Sequence, residues 1–175
     1  MTIAYCLVPT MNTYAIETSK EALKFSAAHL ATFADGTAER LHGHNYQVRA
    51  RLEGDLDKAG MVLDACVLKQ WVRELCDELD EHVLVAMQNP LLEVEEDEDE
   101  VVMRYKGKTY VFPQDDCVLL SIPNTTMEYL ARYLAERLRA RLDMEPAADR
   151  MRELSVTVSE TPGQSASWTL QFGGA

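Results

Sequence analysis

The stretch that most constrains this chain is Tyr46-Gln47-Val48-Arg49-Ala50-Arg51-Leu52, which alternates apolar and polar residues without a break. That period of two is the mark of a half-buried strand. Just upstream stand His42, Gly43 and His44, two of the four histidines in the chain. On a strand, residues i and i+2 point to the same face. Both imidazoles can therefore reach one ion, while Gly43 lies opposite with no bulk. A third histidine ends Lys24-Phe25-Ser26-Ala27-Ala28-His29, where Phe25, Ala27 and His29 share a parity. A second strand beside the first would put three imidazoles around one point, and three histidines with an open fourth position are how catalytic zinc is usually held. The spacing alone leaves open the plainer alternative of two histidines on a sheet surface.

Bulk properties narrow the partners. With 175 residues a single domain over 1–175 is expected, and 47% apolar residues are ample for a core. The 29 acidic against 17 basic residues give a net charge of −12. Nucleic acid and anionic membranes both want a basic face, so neither is expected as a partner. Seven of the eight residues from Glu93 to Glu100 are acidic, which reads as a solvated loop or strand approach. No run of about eighteen apolar residues offers a membrane span. The start, Met1-Thr2-Ile3-Ala4-Tyr5-Cys6, lacks the pattern of a signal peptide, so a cytoplasmic location is expected. Cys6, Cys66, Cys76 and Cys117 are scattered among apolar neighbours, as reduced structural cysteines would be.

Taken in order, residues 3–8 suggest an edge strand and residues 12–29 one or two strands ending at His29. A loop over 30–38, with the turn signal Asp35-Gly36, carries Glu39 towards the histidines. A strand over 44–53 and a turn over 54–60 follow. Val67, Leu68, Trp71, Val72, Leu75 and Leu79 recur at helical spacing, predicting an amphipathic helix of about fifteen residues. Residues 80–92 read as irregular. Residues 101–105 and 109–112 read as a hairpin about Lys106-Gly107-Lys108. A second helix is expected from Thr125, which with Glu128 has the form of a capping box. Its apolar stripe runs Met127, Leu130, Ala131, Leu134, Leu138, Leu142. Strands are expected around Leu154–Val158 and Trp168–Phe172. The order strands, helix, hairpin, helix, strands predicts an α+β domain, an antiparallel sheet with two helices on one face.

Phe25-Ser26-Ala27-Ala28-His29 followed by Leu41-His42-Gly43-His44-Asn45-Tyr46 resembles the 6-pyruvoyl-tetrahydropterin synthase / 6-carboxytetrahydropterin synthase family. The resemblance covers residues of about 20–80 and 120–162. It implies the T-fold, Zn2+ on His29, His42 and His44, a small-molecule pterin substrate, and a homo-oligomer, commonly a hexamer of two trimers with sites between subunits. Glu160 has the parity of Leu154, Val156 and Val158. An unpaired carboxylate on an inward stripe costs several kcal/mol, so parity alone would let it point to water. The resemblance matches it to the family glutamate that grips the pterin ring. One carboxylate can accept a ring N–H and its neighbouring amino group in parallel, as it accepts a guanidinium. Thr126 matches a family threonine near the pterin.

Two positions depart from the family pattern. Where the synthases place a catalytic cysteine, four residues before the first histidine of His-Gly-His, this chain has Ala38, followed by Glu39. That resembles a branch in which glutamate takes over. The branch cleaves the side chain of 7,8-dihydroneopterin triphosphate to leave 6-hydroxymethyl-dihydropterin, and Glu39 is implied as its base. The family's Leu-Asp-His relay corresponds to Leu79-Asp80-Glu81-His82, with the histidine one place late. Asp80 and His82 either form the relay with the loop shifted by one, or the relay is lost. The acidic run and hairpin at about 93–116 resemble an insertion. Arg40, Arg49, Lys106 and Lys108 are available to a triphosphate without a choice among them. The expected function is thus a zinc-dependent pterin lyase. The alternatives are a 6-carboxy- or 6-pyruvoyl-tetrahydropterin synthase, and a non-catalytic zinc-containing protein that binds pterins or purines.

Overall fold

The computed structural model describes residues 13–173; the strand expected at 3–8 and Cys6 lie outside them. The alternating stretch forms one long strand, β3 (His42–Gly54). Tyr46, Val48, Ala50 and Leu52 are buried, and Gln47 and Arg49 are exposed. Its length lets it pair twice along one edge. β2 (Lys24–His29) runs antiparallel to its first half, and β1 (Tyr14–Thr18) to its second. On the other edge lies β9 (Met151–Thr161), followed by β10 (Gln164–Gln171).

The order of the main sheet is β10-β9-β3-β2-β4-β8, with β1 beside β3. β4 (His82–Ala86) and β8 (Cys117–Leu120) add in parallel to β2 and to each other. The expected antiparallel sheet is present in β10, β9, β3, β2 and β1, and these two parallel strands make the whole a mixed sheet. The irregular reading of 80–92 is corrected for the same residues. Val83-Leu84-Val85-Ala86 does not alternate because both faces of β4 are covered, as is usual for parallel strands.

α1 (Ala65–Asp77) and α2 (Met127–Leu142) pack on one face of this sheet. Leu68, Val72 and Leu75 from α1 and Leu130, Leu134 and Leu138 from α2 share one buried cluster with Phe25, Tyr46, Val48, Leu154, Val156 and Leu84. Each such buried leucine contributes about 1.5–3 kcal/mol. Asp64 caps α1, its carboxylate accepting from Cys66 N–H at 2.7 Å. Arg137 with Glu78 and Arg141 with Glu74 bridge the helices. These pairs are partly solvated, so the apolar cluster carries most of the packing. The expected capping box at Thr125 is not formed. Thr126 is the N-cap and Thr125 turns inward, with its side chain buried.

The expected hairpin exists with one strand more. β5 (Glu93–Glu96), β6 (Glu100–Tyr105) and β7 (Lys108–Pro113) form a separate three-stranded sheet. Val101 and Met103 pack on Val83, Val85, Cys117 and Leu119 and reach Leu30, Ala38 and Leu41. Leu84 and Ala86 belong instead to the helix-side core. The small sheet therefore covers the face of β4 and β8 opposite the helices. It also braces the loop between β2 and β3. Cys66, Cys76 and Cys117 are all free thiols. No helix among the described residues is long and apolar enough to cross a membrane.

Candidate metal centre and pterin site

The buried stripe of the sheet runs out of hydrophobic residues at one end and continues as polar ones. Phe25 pairs with Tyr46, Ala27 with His44 and His29 with His42. On β9, Val158 stands opposite Val48, and Glu160 is the next residue of the same parity. His29, His42, His44, Tyr46 and Glu160 thus share the helix-facing side at one end of the sheet. One ring nitrogen from each of the three histidines lies within 4.8 Å of the others.

The backbone sets their tautomers. His29 Nδ1–H donates to the Thr125 carbonyl at 2.9 Å, and His42 Nδ1–H donates to the Arg40 carbonyl at 2.7 Å. Each leaves its Nε2 lone pair pointing inward, the arrangement that fixes a metal-binding imidazole. His29 Nε2 is buried and has no hydrogen-bond partner among the described residues, with Glu160 Oε1 3.5 Å away. The Nε2 atoms of His42 and His44 face each other at 2.8 Å. A buried orphan nitrogen is costly in a protein interior. A divalent cation shared by the three histidines removes that cost. The donor set, three imidazoles with room for a further ligand, fits zinc. Burial pulls His29 below the usual imidazole value, against the Thr125 carbonyl, which raises it. The ring is therefore held neutral, the form a metal needs.

Glu160 is mostly buried and held from two sides. Tyr46 O–H donates to its Oε1 at 3.2 Å, and His44 Nε2 lies 3.1 Å from the same oxygen. Burial and the Glu160 charge both push the Tyr46 phenol up, so it stays protonated and serves as a donor. Glu160 also lines an open cleft of about 780 Å³ with Ser26, His44, Asn45, Glu81 and His82. Glu39 enters from the loop before β3, with its carboxylate 4.0 Å from His42 Nε2. Both side chains are more than a third exposed, Glu39 at 37% and His42 at 39%, so a small ligand can reach them. Ala38 is tied into a bridge with Thr32.

Asp80 and His82 are brought together, but not as a carboxylate–imidazole pair. Asp80 Oδ1 accepts from Ser26 N–H at 2.6 Å, and Glu81 N–H donates to Ser26 O at 2.7 Å. His82 Nδ1–H donates to the Asp80 carbonyl at 2.5 Å. Asp80 therefore pins the start of β4 against β2, while His82, opposite Ala27, joins the cleft wall. Glu81 has φ 62°, a left-handed conformation that non-glycine residues seldom adopt and that costs of order 1–3 kcal/mol. Thr126 sits at the head of α2, one residue beyond the carbonyl that orients His29. It is not among the side chains that line the cleft.

Sequence reasoning missed three participants: Tyr46, and the backbone carbonyls of Arg40 and Thr125. The tyrosine parity was visible. Which carbonyl meets which imidazole depends on the loops and carries no side-chain signal.

Residues 17–170 match the profile of the family described as 6-pyruvoyl tetrahydropterin synthase. The chain belongs to that family. A Methanocaldococcus jannaschii protein assigned as a 6-carboxy-5,6,7,8-tetrahydropterin synthase is 34% identical over 147 residues, covering 82% of this chain and 88% of its own. The crystal structure of 6-pyruvoyl tetrahydropterin synthase from Plasmodium vivax superimposes with a TM-score of 0.86 at 31% identity, covering 92% of this chain and 99% of that one. Two further structures of the Plasmodium vivax enzyme carry alanine or cysteine in place of a glutamate described as a catalytic residue. Their TM-score to this chain is also 0.86. The T-fold expected from the sequence is thus the fold of this family member.

Proposed function

We propose that the protein is a zinc-dependent pterin lyase that cleaves the side chain of 7,8-dihydroneopterin triphosphate and releases 6-hydroxymethyl-dihydropterin. The observation that carries the reading is the Glu39 carboxylate, 4.0 Å from a metal-type histidine, at a place where the chain offers no thiol. The Plasmodium vivax enzyme, in which a glutamate is described as catalytic, supports it.

In this reading Glu160 anchors the pterin, accepting the ring N–H and amino group, while Tyr46 holds the carboxylate from behind. Zinc on His29, His42 and His44 supplies Lewis acidity towards the side-chain oxygens. Glu39 takes the proton of the hydroxyl on the second side-chain carbon, the far end of the bond to be broken. As that oxygen becomes a carbonyl, the carbon–carbon bond breaks and its electron pair passes into the C6=N5 imine of the dihydropterin. A proton delivered to the side-chain carbon next to the ring then gives the hydroxymethyl product, with the phosphorylated aldehyde as co-product. His82, whose Nδ1–H is spent on the Asp80 carbonyl, has Nε2 free to move that proton. In the same reading Thr126, the N-cap of α2, touches the pterin once the site is assembled between subunits. A homo-oligomer, a hexamer as in the T-fold pattern, with the 93–116 segment as an insertion, belongs to the same reading.

A second reading, 6-carboxytetrahydropterin synthase activity, is favoured by the name of the Methanocaldococcus jannaschii relative. The absence of a cysteine at position 38 weighs against it. Mass spectrometry of the products formed by zinc-loaded protein from 7,8-dihydroneopterin triphosphate separates the two. The expected product is 6-hydroxymethyl-dihydropterin. A 6-carboxy or 6-pyruvoyl product, or binding without turnover, overturns the proposal.

A further inference from the structure

Between β2 and β3 the chain makes a small loop that delivers Glu39. Thr32 bridges to Ala38, and Phe33 N–H donates to Thr37 O. Glu39 leaves this loop at once, its own N–H held by Ala31 O at 2.9 Å. The tip, Phe33 to Asp35, is exposed. A loop of this size does not by itself fix a carboxylate against a metal centre on the neighbouring strands. Something has to tie the two together.

One side chain makes that tie. Asn124 Oδ1 accepts from Thr32 N–H at 3.1 Å and from Thr125 N–H at 3.0 Å, and Asn124 Nδ2 donates to Thr32 O at 2.8 Å. Thr32 is the bridge partner of Ala38, which precedes Glu39. Thr125 supplies the carbonyl that orients His29. A single carboxamide therefore grips both the loop that carries the carboxylate and the residue whose carbonyl aims a metal-type histidine. Buried Asn89 adds a bond from Nδ2 to Thr32 Oγ1 at 3.0 Å, and Tyr105 O–H donates to Gly36 O at 2.8 Å from the small sheet. Both of these brace the loop, but neither bonds to Thr125.

We infer that Asn124 is a positioning residue which sets the separation between the Glu39 carboxylate and the three-histidine centre. The inference rests on the reading of Glu39 as the base. The chemistry requires a carboxamide. The clamp needs an acceptor for two N–H groups and, on the same side chain, a donor for a carbonyl. Aspartate keeps the acceptor but sets a second oxygen against Thr32 O. Glutamine adds a methylene to a half-buried site. Alanine releases both the loop and the Thr125 peptide. A misplacement of about 1 Å at a reacting group costs on the order of 10²-fold in rate, and removing support behind a metal site costs about 10–100-fold.

The test compares zinc-loaded wild type with Asn124→Ala, Asn124→Asp, Glu39→Ala and the double variant Glu39→Ala/Asn124→Ala. Amide hydrogen exchange needs no substrate. In Asn124→Ala the amides of Thr32, Glu39 and Thr125 exchange at least about tenfold faster, and those of β3 and β9 do not change. Unchanged exchange at Glu39 overturns the inference whatever the enzyme acts on. In turnover of 7,8-dihydroneopterin triphosphate, kcat of Asn124→Ala falls about 10–100-fold with KM and zinc stoichiometry retained. Adding the substitution to Glu39→Ala gives no further loss, because no carboxylate remains to misplace. A second full loss in the double variant overturns the inference. Asn124→Asp, nearly isosteric, answers the same questions if the alanine variant does not fold. Turnover retained by Glu39→Ala defeats the base assignment itself, and exchange still judges the tether.

Discussion

Glu39 and Glu160 are carboxylates on the same three-histidine centre, Glu39 beside His42 and Glu160 beside His29 and His44, yet their surroundings assign them different work. Glu160 is mostly buried and bonded to Tyr46, which suits a fixed recognition group. Glu39 is more than a third exposed and, among the described residues, its carboxylate has only a distant contact with His42, which leaves its lone pairs for a proton. Replacing Glu39 with alanine is expected to lower kcat by about 10²–10⁴-fold. The zinc content of the purified protein stays at the wild-type value. Parallel metal analysis and steady-state kinetics check this, and loss of metal together with activity would make Glu39 a ligand instead. The shared face of the histidines was legible in the sequence because strand parity fixes the face of a side chain, whereas parity alone let Glu160 point to water and only the family resemblance drew it towards the site. Glu39 was legible only as a neighbour of the histidines, since a loop has no parity. The pairing of Asp80 with Ser26 was not legible at all, because it depends on β4 lying beside β2 in parallel.

At the scale of elements, the parts read well are those with a period. β3, the two helices and β9 announce themselves by alternation or by a stripe. β4 was missed for a physical reason, since a short strand covered on both faces shows an unbroken apolar run. The start of α2 was misread by one residue because Thr125 points its side chain into the core beside the carbonyl that serves His29, leaving the cap to Thr126. The far end of β3 is equally specified. A side chain at Gly54 would bring a Cβ to 2.6 Å from Arg150 O, where a register shift joins β3 to β9. Gly54→Ala is expected to destabilise the fold by about 1–3 kcal/mol, seen as a lower urea midpoint. Zinc stoichiometry stays normal, because the histidines occupy the opposite end of the strand. A midpoint within error of wild type would mean that the sheet yields there.

For the molecule as a whole, the proposed metal and the stability of the fold are linked through His29. Burial holds this imidazole below the usual value of 6.5. In metal-free protein the unfolded chain therefore takes up a proton first as the pH drops, while the folded one resists it. Folding stability from this group is full above about pH 6.5 and declines below it. Chelator-treated protein is expected to show a lower urea midpoint at about pH 5.5 than at about pH 7.5, and His29→Phe to shrink the difference. An equal difference in the variant would place the pH sensitivity elsewhere. Restoring zinc raises the melting temperature of wild type but not of His29→Phe.

The continuity of one stripe from hydrophobic core to histidines has a consequence for quality control. Side chains on a strand change face with every residue. A molecule that paired β3 one residue out of register would turn Gln47, Arg49 and Arg51 inward. The same error would turn His42 and His44 away from His29. Misfolding and loss of the ion would then be one event seen by two instruments. If the centre holds zinc as proposed, each molecule that retains the ion is one whose central strand found its proper partners.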